Sequence, residues 1–198
     1  LRGILPNSRR PAANGAEEPS DEALLAACAG GDRTALADLF HRHSAALYGF
    51  LSRFPGVDDR DLDDLVQATF VAVHRSATRF EGSSSVRTWI FGIAANLVRK
   101  HVRGEVHGRN VRNKVEELPV PEPIRPDAEA EHRQALARID AALAELPHDL
   151  KAVFTLCVIE GASGKEAARA LGIREGTLWR RLHEARTALR RAVDGMRP

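Results

Sequence analysis

No apolar run in the 198 residues approaches the roughly 18 that a membrane-spanning helix needs, and Leu1 to Ser20 lacks the continuous apolar stretch of a secretory signal. A cytoplasmic protein with no membrane insertion of its own is expected. Cysteine is scarce: Cys28 and Cys157 stand far apart without a Cys-x-x-Cys pair, which argues against a disulfide framework or a zinc cluster and for two buried thiols. Alternating β-branched residues are absent, so no strand is expected. Enzymatic motifs are missing as well. Gly161-Ala162-Ser163-Gly164-Lys165 lacks the leading glycine of a phosphate-binding loop and the spacing of Gly-x-Ser-x-Gly. His41 and His43, two apart, fall on different faces of a helix and do not suit a shared metal. No catalytic residue, metal ligand or cofactor is expected. The chain opens on Leu1 rather than methionine, as a fragment or a processed chain would.

Net charge is also nearly absent, at +2, but its distribution is uneven. Asp58, Asp59, Asp61, Asp63 and Asp64 crowd around the single Arg60. Val86 to Arg103 carries Arg87, Arg99, Lys100 and Arg103 with no acid, and Arg174 to Arg197 is again arginine-rich. Two basic segments far apart in sequence point to two contacts with a polyanion, and the aspartate cluster beside one of them points to a second, different partner.

Helical periodicity runs through most of the chain. After a polar, proline-bearing tail (residues 1–20), apolar stripes recur at steps of three and four. The first holds Leu24 and Cys28, the second Leu36, Leu39, Phe40, Leu47 and Leu51. The third holds Leu62, Leu65, Val66, Phe70, Val73 and Ala77, and the fourth, after the loop Glu81 to Ser85, holds Trp89, Ile90, Ile93 and Leu97. Residues 21–103 therefore read as a small helical bundle. Residues 104–128 hold Pro119, Pro121, Pro123 and Pro126 with neither period, and read as a flexible linker that reaches on the order of 80 Å when extended at about 3.3 Å per residue. Residues 129–198 return to helices. The expected fold is all-α, with two small helical domains joined by that linker.

In the second domain, Ser163-Gly164-Lys165-Glu166 has capping-box form. A short helix through Ala167, Ala168 and Leu171 stops at Gly172, and a longer arginine-bearing helix follows. That succession is the pattern of a helix-turn-helix. At 100° per residue Leu178, Leu182, Ala185 and Leu189 face inward, and Gly176, Arg180, His183, Thr187 and Arg191 face out, flanked by Trp179, Glu184 and Arg190. An outward arginine face on the second helix is what major-groove entry requires. The same construction on the fourth helix puts Gly92, Asn96, Arg99 and Arg103 on the outward face, with Trp89 turned toward the core.

These segments together resemble the bacterial RNA polymerase sigma factors of the extracytoplasmic-function (ECF) type. The resemblance spans Asp21 to Val193. Asp61-Leu62-Asp63-Asp64-Leu65-Val66-Gln67-Ala68-Thr69-Phe70 is similar to the family's polymerase-clamp helix. Phe80-Glu81-Gly82 with Val86 to Asn96 is similar to its melting and minus-10 segment. Glu160 to Ser163 with Gly172 to Leu178 and Arg181 to Arg186 resembles its minus-35 helix-turn-helix. The resemblance implies core-polymerase contacts at Asp61, Asp64, Leu65 and Gln67. It implies minus-10 DNA contacts at Ser83, Ser84, Arg87, Asn96, Arg99 and Arg103. Minus-35 DNA contacts are implied at Glu175, Thr177, Trp179, Arg180, Arg181, His183, Glu184 and Arg186. Its implied partners are core RNA polymerase, promoter DNA and an anti-sigma factor. Ala68 and Lys100 stand where the family commonly has acids. The alternative is a stand-alone helix-turn-helix regulator that binds duplex operators. The aspartate cluster favours the sigma factor, because such a regulator has no use for an acidic docking face.

Overall fold

A computed structural model describes residues 18–108, 139 and 141–194, with side chains over 18–103, 139 and 141–192. The expected tail (1–20) and linker (104–128) lie almost wholly outside the described residues. Among the described residues there are helices and no strands.

Four helices form the N-terminal module, and each begins where a short polar side chain satisfies free backbone N–H groups. Helix α1 (Asp21–Ala29) is capped by Ser20 Oγ, which accepts from the Ala23 amide at 3.2 Å. Helix α2 (Arg33–Leu51) is capped by Asp32, which accepts from the Thr34 amide at 2.7 Å. Helix α3 (Asp59–Ser76) starts on a reciprocal box. Asp58 accepts from the Asp61 amide at 3.0 Å, and Asp61 accepts from the Asp58 amide at 3.3 Å. Helix α4 (Val86–Gly108) follows Ser85, whose Oγ accepts from the Thr88 amide at 3.1 Å. It continues through Gly104, past the boundary expected at residue 103. The apolar stripes read from the sequence meet in one core. Leu39, Leu47, Phe50, Val73, Ile90, Phe91 and Val98 are fully buried, and Phe50 packs on Phe91 with ring centroids 5.0 Å apart.

In the C-terminal module residues 141–145 are helical. Helix α5 (His148–Phe154) follows, widening into a π-turn over Thr155–Ile159 in which the Glu160 amide reaches back to the Thr155 carbonyl at 2.9 Å. Helices α6 (Gly164–Leu171) and α7 (Glu175–Asp194) complete it. Leu143, Leu146 and Ala185 form a small core of their own with Leu150 and Leu189 packed against it.

The two modules are not apart in this structure. Leu156, Ala167, Ala168, Leu171 and Leu178 join the same apolar cluster as Phe91, Ala94 and Ala95, because α6 lies along α4. Both thiols are free, Cys28 buried and Cys157 half-buried, and burial pushes each thiol pKa up, away from reactivity.

Candidate nucleic-acid interface

The aspartate cluster sits at the N-terminus of α3, where the exposed N–H groups and the helix dipole favour negative charge. Not all of it is free to meet a partner. Asp58 spends its carboxylate on the cap, and the backbone N–H groups it accepts hold its pKa below the usual value. Asp61 is half-buried, shared between the cap and His101, whose Nε2 lies 3.2 Å away. Asp63 accepts from the Tyr48 hydroxyl, a bond that raises the phenol pKa. Asp64 and Gln67, three residues apart, are exposed. Leu65 requires a correction: it is 6% exposed, packed in the core beside Val66, because it lies on the apolar stripe with Leu62 and Thr69. A surface contact by its side chain is excluded while α3 stays packed.

On α4 the expected outward stripe holds for Asn96, Arg99 and Arg103, partly engaged, but not for Gly92, which is buried against α6, where a Cβ would meet the Ala170 carbonyl oxygen at 2.4 Å. Arg87 donates from Nε and Nη2 to Glu160 Oε2 at 2.9 and 2.6 Å, and its guanidinium lies 5.0 Å from the Phe91 ring centroid. Asn96 and Arg99 are half-buried and bonded to each other at 2.6 Å, while Arg99 Nη1 stands 4.0 Å from Asp149 Oδ1. Arg103, a turn further on, is exposed. Ser83 and Ser84 are half-buried in the loop before the helix. Trp89 packs on Phe80 at 5.3 Å between centroids.

The helix-turn-helix is built by local chemistry. Ser163 and Glu166 form the reciprocal cap of α6, so the Ser163 hydroxyl is occupied by the Glu166 amide at 3.3 Å. Gly172 closes the helix at φ +66°, a left-handed conformation that suits glycine. Ala167 and Ala168 are buried under α7, whose inward face is Leu178, Leu182 and Ala185. Arg180, His183, Glu184, Arg186 and Glu175 are exposed on the other side, and Thr177 is half-buried. Arg180 donates to Glu184 at 3.1 Å, one helical turn along. Trp179 is 53% exposed, yet its ring lies on Gly164: a Cβ there would meet the indole Cζ2 at 2.4 Å. Arg181 turns back and donates to Asp149 at 2.5 Å.

Comparison with known proteins decides what this arrangement belongs to. The Sigma-70 region 2 family matches residues 39–107, and Sigma-70, region 4, matches residues 136–189. The chain is 33% identical over 181 residues to the ECF RNA polymerase sigma factor SigM of Mycobacterium tuberculosis (strain H37Rv), covering 90% of this chain and 87% of that one. It is 32% identical over 180 residues to SigE of Mycolicibacterium smegmatis, covering 87% of this chain and 69% of that one. The chain belongs to the ECF RNA polymerase sigma factors. Among solved structures, CnrH in complex with the cytosolic domain of CnrY superposes with a TM-score of 0.63 at 29% identity, covering 89% of this chain and 99% of that one. CnrH is a sigma factor of Cupriavidus metallidurans.

As a sigma factor the chain binds core RNA polymerase and recognises promoter DNA; the stand-alone regulator is not favoured. The Sigma-70 region 2 match covers the acidic start of α3 and the stripe on α4, and the region 4 match covers the helix-turn-helix. Three residues of this sigma factor escaped the sequence reading. Asp149 touches arginines from both modules, and Glu160 holds Arg87. Lys151 is fully buried, with Nζ donating to the Arg53 carbonyl at 2.7 Å and to the Ala144 carbonyl at 3.0 Å. Burial lowers its pKa to about 8, with Glu145 opposing. No periodic signal marks any of them, since each is defined by a partner far along the chain.

Proposed function

We propose that residues 21–103 are the module that docks on core polymerase and reads the minus-10 element, and that residues 129–198 read the minus-35 element. In this reading Asp64 and Gln67 carry the exposed part of the docking face, with Asp61 holding the helix start that presents them. Asn96, Arg99, Arg103 and Arg87, beside Ser83 and Ser84, contact the minus-10 strand. Arg180, His183, Glu184 and Arg186, flanked by Glu175, Thr177, Trp179 and Arg181, face the minus-35 major groove. The protein is a non-enzymatic initiation subunit that works in the cytoplasm. Among the described residues no helix is long and apolar enough to cross a membrane.

The observation that carries this reading is the presence, in one chain, of an acidic helix start on α3, a basic stripe on α4 and a capped helix-turn-helix. An anti-sigma factor is proposed as the regulating partner, by analogy with the CnrH complex. The test is co-elution with core polymerase. Asp64→Lys is expected to abolish it while circular dichroism stays unchanged, and unchanged co-elution would remove the docking assignment.

A further inference from the structure

The first helix of the helix-turn-helix opens on a glycine that its backbone does not need. Gly164 follows the Ser163 cap directly, and unlike Gly161 and Gly172 on either side of α6 it does not adopt a positive φ, so a residue with a side chain could take its conformation. What the position requires is space. A Cβ built on Gly164 would stand 2.4 Å from Trp179 Cζ2, 2.9 Å from Cη2 and 3.0 Å from Cε2. Carbon atoms pack at about 3.5 to 4.0 Å, so a side chain at 164 and the indole in its present place exclude each other.

Trp179 also differs in kind from its surroundings. Among the described residues it is the one large apolar side chain that α7 exposes, on a face otherwise made of Glu175, Arg180, His183, Glu184 and Arg186. A single exposed apolar side chain needs no explanation by itself; one seated on a glycine that the backbone does not call for does. The seat orients the ring as well. The atoms nearest Gly164 are Cζ2, Cη2 and Cε2, and Cε2 carries Nε1, so the nitrogen side of the indole lies toward α6. The edge on the far side, Cε3–Cζ3, is all carbon. Hydrocarbon presented from a recognition helix has one apolar counterpart on the base edges of the major groove, the C5 methyl group of thymine.

We infer that Trp179 is a specificity-determining residue that reads a thymine methyl group in the upstream promoter element, and that Gly164 is its positioning residue, seating the indole by the lack of a side chain. The inference rests on the proposed reading of the minus-35 element by residues 129–198. It adds an uncharged contact beside the arginines of α7, and the discrimination it gives does not depend on salt as phosphate contacts do.

The test uses holoenzyme assembled from core polymerase and the full chain, on a promoter fragment from which it initiates. Each thymine of the upstream element is replaced in turn by deoxyuracil, which lacks only the C5 methyl group. For the wild type one such replacement is expected to weaken holoenzyme binding about fourfold, the worth of one buried methyl group, and by the same factor at low and at moderate salt. Trp179→Ala is expected to bind the methylated and unmethylated fragments equally. Gly164→Ala is expected to keep the wild-type helicity and melting temperature, since the exposed ring gives way rather than the backbone, and to lose most of the discrimination. Absence of any methyl-dependent position in the wild type, or undiminished discrimination by Trp179→Ala, overturns the reading by Trp179. Undiminished discrimination by Gly164→Ala overturns the positioning. Failure of the underlying minus-35 assignment looks different: scrambling the whole upstream element would then leave holoenzyme binding unchanged, and the inference would fall with it.

Discussion

Asp61 and Asp64 stand three residues apart on α3 and look equivalent in sequence, but the structure gives them different loads. Asp61 closes the reciprocal cap on the Asp58 amide and lies 3.2 Å from His101 Nε2, whereas Asp64 meets solvent. Charge reversal at Asp61 is therefore expected to lower the melting temperature as well as polymerase binding, by about 1 kcal/mol for the cap, and at Asp64 to affect binding alone. Thermal denaturation of the two variants side by side checks this. Equal melting temperatures would show that the Asp61 contacts contribute nothing. Arg180 is a second residue whose load can be stated. Its bond to Glu184 is an exposed pair one turn along the helix, worth about 0.3 to 0.5 kcal/mol, so it yields readily to a base edge. Arg180→Ala is expected to cost about 1 to 3 kcal/mol at one upstream base pair. Arg190→Ala is expected to weaken binding evenly and to reduce the salt slope by about one. Transcription from promoters randomised in the upstream element separates the two, and an even loss for Arg180→Ala would assign it to phosphate.

Lys151 gives a pH signature of its own. Burial lowers its pKa in the folded chain to about 8 from the ordinary 10.5. Between those values the unfolded chain holds the proton more tightly, so this group's contribution to stability rises with pH across the window. The stability difference between wild type and Lys151→Met is expected to shift in favour of wild type by on the order of 2 to 3 kcal/mol from pH 7.5 to pH 10.5. Chemical denaturation of both proteins across that range reads it. A difference that stays flat would mean that Lys151 titrates as an exposed lysine does.

At the scale of elements, the capped starts carry the prediction that follows from local chemistry. Ser163→Ala removes one half of the reciprocal cap on α6 and is expected to destabilise the protein by about 1 kcal/mol. Glu166 is held below its usual pKa first by its bonds to Ser163, so part of the same loss is expected as pH falls through the Glu166 range, where protonation weakens the reciprocal bond. The melting temperature of wild type and variant between pH 3 and pH 6 should converge; parallel curves would separate the cap from the carboxylate. The start of α6 was legible in the sequence because the Ser163–Glu166 box needs only neighbours within three residues, whereas the caps at Ser20, Asp32, Asp58 and Ser85 are seen only in the structure. The stripes themselves were legible for the same reason, and so was the outward face of α7. Leu65 was misplaced because a motif assigns a segment to a surface, whereas the three-to-four period assigns each side chain to a face. Asp149, Glu160, Lys151 and the tight fit at Gly92 were not legible, since their partners lie tens of residues away on other helices.

At the scale of the whole molecule, two small modules each present a short basic stripe, and on the proposed reading neither alone is expected to bind DNA tightly. Held on polymerase, both meet the same DNA, and the second contact gains from the effective concentration set by the first. The free chain is therefore expected to bind duplex DNA weakly. The central claim is that promoter choice is made by this chain only together with core polymerase. The most direct test maps transcription start sites on host DNA using core polymerase with and without the chain. The account predicts a set of starts that depends on the chain and shares two upstream elements at constant spacing. Absence of such starts, together with tight sequence-specific duplex binding by the free chain at moderate salt, would contradict it.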